Sequence, residues 1–254
     1  MLTEKRRKEI ASLAQRKYRQ RLAQTLVEGV RAVEAAVIAD APIVEVLVAS
    51  ERSEASEIRA LTDRTAAPVH IVDANTLNAI SDVETTQGIL AVVKTRWEAI
   101  QAVLSCETIL ALDRVRDPGN VGTLIRSAAW FGVRGVLVTP GTVDVYSPKV
   151  VRASMGGIWD VLIAGAPEAG ALTGSLRAAG IAVYAADMEG IDSRTWEPVR
   201  PCALIVGGEA HGITPAVLQA ADGVVAIAPP ARGAALESLN AAIAGSILLY
   251  EMVR

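Results

Sequence analysis

Aromatic side chains are scarce in this chain of 254 residues, at 4% of the whole with a single phenylalanine. Its core must therefore be filled by Ala, Val, Leu and Ile, which supply most of the 51% hydrophobic content. That filling suits strands buried on both faces, as in parallel α/β proteins. Cysteine occurs twice, at Cys106 and Cys202, far apart and outside any CxxC spacing, and histidine twice, at His70 and His211. Neither a disulfide framework nor a zinc site is supported, because each needs several such residues at set spacings. No apolar run reaches the roughly 18 to 20 residues that cross a membrane, and the N-terminus lacks the apolar stretch of a secretory signal. A soluble, cytoplasmic protein is expected. The dinucleotide fingerprint GxGxxG and the phosphate loop GxxxxGK[ST] are both missing.

Charge of one sign is also missing overall, the net value being −3, which gives no global argument for nucleic acid. Its distribution says more. Residues 1 to 21 hold Lys5, Arg6, Arg7, Lys8, Arg16, Lys17, Arg19 and Arg21 against Glu4 and Glu9, a local charge of +6. Such a run is either a solvated helix face or a patch that meets phosphates.

Hydrophobic periodicity gives the organisation. Residues 3 to 20 read as a basic helix and Glu28 to Ala39 as a second. Strands follow at Ile43 to Ala49, Val69 to Val72 and Ile89 to Val93, with helices at Ser53 to Thr65 and Asn75 to Ile80. From about Lys94 to Glu107 the pattern turns mixed and polar around Trp97, which reads as a linker. Beyond it strands alternate with helices: strands at 109–112, 135–138, 161–163, 182–185, 203–206 and 224–227, helices at 121–131, 148–155, 168–179, 215–220 and 239–252. Alternation of this kind predicts a parallel sheet covered on both faces, with any ligand at the C-terminal ends of the strands.

Three loops at those ends are rich in glycine and polar residues. The first, Asp113 to Arg126, has a tight turn at Pro118-Gly119, a capping candidate in Asn120, a glycine for close approach in Gly122, and Arg126 in the helix. The guanidinium of Arg126 suits a phosphate or carboxylate, though an arginine on a helix is commonly just solvated. The second, Val206 to Ile213, runs from a strand straight into Gly207-Gly208-Glu209 and then Gly212. Bare backbone there permits a ligand to lie close. The third follows the strand at Val224, Val225 and Ile227, breaks at Pro229-Pro230, and reaches Glu237-Ser238-Leu239-Asn240. Ser238 is a candidate N-cap for the last helix, on which Leu239, Ile243, Ile247 and Tyr250 form an apolar stripe. As a plain connection this is a strand, a loop and a docking helix. A helix start also offers free N–H groups to a ligand.

Taken together the loops resemble the SpoU branch of the SPOUT superfamily of RNA methyltransferases. The first motif of that family is matched by Asp117-Pro118-Gly119-Asn120-Val121-Gly122 with Arg126-Ser127-Ala128 and Phe131-Gly132. The second is matched by Gly207-Gly208-Glu209 with Gly212, and the third by Glu237-Ser238-Leu239-Asn240. The segment Ser147 to Gly156, SPKVVRASMG, also looks like the family. The segment Ala228 to Leu236, with Pro229-Pro230 and Arg232, is longer than the family's usual loop, so the rim of the pocket is expected to differ.

The resemblance implies three parts: an RNA substrate-binding domain over residues 1–95, similar to a small ribosomal protein; a linker over 96–107; and a parallel-sheet methyltransferase domain over 108–254 closed by a deep trefoil knot. It also implies S-adenosylmethionine as methyl donor, a ribose 2′-hydroxyl as acceptor, and a homodimer packed through the catalytic domain. By matching position, Gly207, Gly208, Ile227 and Leu239 would touch the cofactor, and Asn120, Arg126, Glu209, Ser238 and Asn240 would form the catalytic constellation. An ordinary arginine is too basic to act deprotonated. Arg126 is therefore expected to hold the acceptor nucleotide's phosphate and to stabilise the developing oxyanion. Asn120, Ser238 and Asn240 would orient it, and Glu209 would hold the loops. Ribosomal RNA is the expected substrate, by analogy with the first domain. The alternatives are transfer RNA, or an RNA-binding protein of this fold without catalysis.

Overall fold

The computed structural model describes residues 2–83, 85–209, 212–229 and 238–254. In chain order its elements are α1 (Glu4–Ser12), α2 (Arg16–Leu22), β1 (Gln24–Glu28), α3 (Val30–Ile38), β2 (Ile43–Ala49), α4 (Ser56–Thr62), β3 (Val69–Val72), α5 (Ala74–Ile80), β4 (Ile89–Lys94), α6 (Ile100–Leu104), β5 (Thr108–Asp113), α7 (Pro118–Trp130), β6 (Gly135–Val138), α8 (Pro148–Ser154), β7 (Leu162–Gly165), α9 (Ala169–Ala178), β8 (Ala182–Asp192), β9 (Cys202–Gly207), α10 (Pro215–Ala220), β10 (Gly223–Ala226) and α11 (Ala241–Val253). They gather into two compact units. One comprises Met1–Arg96 with Asp144–Trp159, the other Trp97–Val143 with Asp160–Arg254.

The first unit is built on a four-stranded sheet in the order β1-β4-β2-β3. Strand β4 runs antiparallel to β1 and β2, and β2 runs parallel to β3. Leu26, Leu47, Leu90 and Val92 from the sheet pack with Ile10 and Leu13 on one flank and Leu77 and Ile80 on α5. The single helix expected over residues 3 to 20 is two. The carbonyls of Leu13 and Ala14 accept from the Arg19 guanidinium at 2.7 and 2.8 Å instead of continuing α1. Strand β1 was not expected at all. Five residues wedged between two helices, with Leu26 and Val27 buried, carry too short a period to stand out. Residues 144–159 lie within the segment read as the C-terminal domain, yet they gather with this first unit. Thr25 Oγ1 donates to the Tyr146 carbonyl at 2.6 Å, and Arg19 pairs with Asp144 at 2.7 Å.

The second unit is a wholly parallel six-stranded sheet in the order β10-β8-β9-β5-β6-β7. The central strand β5 is buried at every position, as the apolar composition anticipates. One face carries Val103 of α6, inside the expected linker, with Leu172 and Leu176 of α9 and Val217 of α10. The other carries α7 and α11. From β5 the chain moves outward through β6 to β7, whereas β9 leads toward β10 on the opposite side. The direction therefore reverses between β5 and β9, whose last residues Asp113 and Gly207 are register partners. Open parallel sheets bind ligands at the strand ends of such a switch point.

Helix α11 departs from expectation in its orientation. Its buried residues are Ala242, Gly245, Leu248, Leu249 and Met252, and the stripe Leu239, Ile243, Ile247 and Tyr250 stays 46, 52, 39 and 49% exposed. A helix that is apolar all round gives no sequence cue for which side meets the core. Here Gly245 decides it: a Cβ at that position would lie 2.5 Å from Leu124 Cδ2, so the glycine side is the one that can approach α7.

Candidate active site

At the end of β5 the chain turns and enters α7 with Pro118 at the first helical position and Asp117 as the cap. Asp117 Oδ1 accepts from the Asn120 backbone N–H at 2.8 Å. Asn120 is thus not the cap expected of it, and its side chain is free for other work. That side chain is buried, with 8% exposed. Its Nδ2 donates to Glu209 Oε1 at 2.5 Å, and its Oδ1 accepts from Asn240 Nδ2 at 3.0 Å. Asn240 in turn accepts from the backbone N–H groups of Ala242 and Ile243 at 2.9 and 3.2 Å, so it caps α11 in place of Ser238. A single amide therefore joins the first loop to the second and the third. The helices behind it are pinned by Ser127 Oγ and Ser246 Oγ at 2.7 Å and by the tilted rings of Phe131 and Tyr250, 5.6 Å apart.

The second loop is shaped by what its glycines lack. A Cβ on Gly207 would meet the Gly212 carbonyl carbon at 2.4 Å, and one on Gly208 would meet the Arg114 carbonyl oxygen at 2.3 Å. The space a side chain would need is filled by the protein's own backbone. Gly208 donates to the Asp113 carbonyl and accepts from the Gly212 N–H, both at 2.9 Å, which sets Gly212 against Gly208. Both glycines remain partly exposed.

Of the nine residues singled out in the sequence, Asn120, Glu209 and Asn240 are joined by hydrogen bonds. Arg126 is exposed on α7 and makes no hydrogen bond or ion pair with the described residues. Ser238 and Leu239 are exposed just ahead of α11, and Ile227 is partly buried just past β10. Glu237 and the stretch Pro230 to Leu236, with Arg232, lie outside the described residues. His211, within the second loop, also lies outside them and was passed over as a candidate. Asp113 and Thr214 were passed over too. They flank the second loop and are bonded to each other, a pairing 101 positions apart that no local spacing announces.

Comparison with known proteins identifies the family. Residues 107–250 match the SpoU rRNA Methylase family and residues 5–91 match the MRM3-like substrate binding domain. The chain is 30% identical over 228 residues to the 23S rRNA (guanosine(2553)-2'-O)-methyltransferase RlmP of Bacillus subtilis, covering 89% of this chain and 87% of that protein. It is 32% identical over 258 residues to the 23S rRNA (uridine(2479)-2'-O)-methyltransferase of Streptomyces viridochromogenes, covering 96% and 87%. Among solved structures, the SpoU methyltransferase AviRb of Streptomyces viridochromogenes in complex with AdoMet superposes with a TM-score of 0.86 at 28% identity, over 99% of this chain and 97% of that one. With its methylase segment, its substrate-binding segment and its fold all matched, the chain belongs to the SpoU rRNA methylase family.

Proposed function

We propose that the chain methylates a ribose 2′-hydroxyl of ribosomal RNA, with S-adenosylmethionine as donor. The observation that carries this reading is the Asn120 bridge, which gathers three motifs from distant parts of the chain at the switch point of a parallel sheet. Two relatives of similar identity act on a guanosine and a uridine of 23S rRNA. The feature their targets share is the ribose, so the reading names the sugar and leaves the base to the flanking domain.

The residues fit the donor. Gly207 and Gly208 offer peptide groups free of side chains, and Ile227 and Leu239 keep apolar surface exposed for a flat ring. When bound, S-adenosylmethionine supplies a methyl group activated by its sulfonium. Asn120 holds Glu209 and Asn240 in place, so that these polar groups are set before the substrate arrives. Arg126, unpaired among the described residues, takes the acceptor's phosphate and offsets charge developing on the ribose oxygen. Ser238 sits beside Asn240 to help fix the loop. Arg126→Ala should lower kcat by about 100-fold or more while leaving S-adenosylhomocysteine affinity within about twofold, the size seen when one such donor is lost. Unchanged kcat at saturating donor would remove that role.

On the first unit, exposed Arg16, Lys17 and Arg21 surround Tyr18, with the Lys17 and Arg21 cations 4.8 and 4.7 Å from its ring. This cationic and aromatic cluster is our RNA-contact surface. Arg19 is excluded from it, being buried against Asp144. Two further features belong to the same reading, a trefoil knot around the donor site and a homodimer; α11 packs against α7 and β9. The exposed apolar side chains of the α7–α11 pair, with Trp130 at 83% and the α11 stripe, favour a second copy as their cover.

The deciding experiment is transfer of tritiated methyl from S-adenosylmethionine to unmodified ribosomal and transfer RNA, followed by nucleoside analysis. Label on a ribose oxygen in ribosomal RNA is expected. Label on a base, or in transfer RNA alone, would overturn the assignment.

A further inference from the structure

Asp113 closes the central strand β5, is 1% exposed, and has no part in the chemistry above. Burying a carboxylate is costly unless donors surround it. Here they come from Thr214, on the far side of the second loop, from the neighbouring Arg114 and, at 3.5 Å, from Thr139 Oγ1. Asp113 Oδ2 accepts from the Thr214 backbone N–H at 3.1 Å and from Thr214 Oγ1 at 2.7 Å. Arg114 completes a ring: its Nε donates to Asp113 Oδ1 at 3.3 Å and its Nη2 to Thr214 Oγ1 at 2.9 Å. To do so Arg114 adopts a left-handed backbone with φ +56, which non-glycine residues avoid. That turn brings the Arg114 carbonyl against the bare Cα of Gly208.

The loop Gly207 to Thr214 is therefore held at both ends by the last residue of β5, through Gly208 at its start and Thr214 at its close. We infer that the Asp113–Thr214–Arg114 ring is a positioning device. It sets how closely the strand end bearing Gly207, Gly208 and Glu209 sits against the loop bearing Asn120, and so tunes affinity for the methyl donor without touching it. The inference rests on the reading that Gly207 and Gly208 border the donor.

The probe is S-adenosylhomocysteine, titrated into full-length protein, with RNA affinity measured alongside. Thr214→Val keeps the backbone bond and the shape but removes the hydroxyl, a hydrogen bond to a charged group. It should weaken S-adenosylhomocysteine about tenfold, and Thr214→Ser should restore it to within about twofold. RNA affinity should not move. Arg114→Ala, on the more open side of the ring, should give a smaller loss in the same direction and serves if Thr214→Val does not fold. Parental S-adenosylhomocysteine affinity in either variant, failure of serine to rescue, or a parallel loss of RNA affinity would overturn the inference. Hydrogen exchange separates its failure from that of the site. If S-adenosylhomocysteine does not protect the amides of Gly207 to Glu209 in the parent, the site reading fails and takes the ring with it. If it protects them and Thr214→Val binds normally, the ring alone fails.

Discussion

Two buried polar side chains, Asn120 and Arg19, do opposite kinds of work. Asn120 bonds Glu209 and Asn240 at once, and Asn120→Ala returns both exposed partners to water. A loss of about 0.5–1.5 kcal/mol per hydrogen bond in urea unfolding is expected, together with most of the methyl transfer. Asn120→Asp puts a second carboxylate against Glu209. Like charges raise a carboxylate's pKa, so the penalty should be full at pH 8 and shrink as pH falls toward 5, when one of the pair takes a proton. Unfolding at the two pH values reads this directly. Arg19 looks in the sequence like one more cation of a basic run, yet it pairs with Asp144 and ties off two carbonyls of the α1 end. Arg19→Ala should cost about 3–5 kcal/mol, as for other buried pairs broken from one side, a drop visible in thermal unfolding. Neither role is visible locally, because the side-chain partners Glu209, Asn240 and Asp144 lie 89 to 125 residues away.

At the scale of elements, α7 and α11 form the support of the site. Their contact depends on Gly245, where any Cβ would press on Leu124 and Val206. Gly245→Val should therefore part the helices and cost about 1–3 kcal/mol of stability. Because Asn240 caps α11, S-adenosylhomocysteine affinity should fall with it. A variant with parental Tm and affinity would show that the helices pack with more slack than this geometry allows. Most elements could be read from sequence because burial on both faces leaves an uninterrupted apolar run, as in Ile109 to Leu112 and Ala203 to Val206. The misses have physical causes. Strand β1 is short and lies between helices. The start of α11 moved from Ser238 to Asn240 because the asparagine both caps the helix and reaches Asn120.

For the whole molecule, the two proposed partner surfaces can each be tested. If a second copy covers α11, Ile243→Glu with Ile247→Glu should yield a folded monomer in sedimentation analysis, since both side chains point away from the unit's own core. A dimer that survives both changes would move the interface elsewhere. On the first unit, replacing Arg16, Lys17 and Arg21 with alanine should weaken RNA binding and flatten its dependence on salt, by about 0.7 to 0.9 in slope for each phosphate that is no longer neutralised. Donor affinity should be untouched. An unchanged slope would make those cations a solvated face. None of the described helices is long and apolar enough to cross a bilayer.

The sequence by itself determined the class of fold, through apolar runs alternating with helical periods. It also marked the three loops, because glycine, proline and asparagine are costly within regular elements and cluster where a chain must turn or approach closely. Only the tertiary structure decided which polar residues meet. It made Asp117 and Asn240 the caps, freed Asn120 to bridge the loops, took Arg19 out of the basic surface, and brought Asp113 to Thr214. It also chose the face of α11 that is buried. These are matters of distance between residues far apart in the chain, fixed by strand order and by a glycine that lets two helices close, and no periodicity in the sequence encodes them.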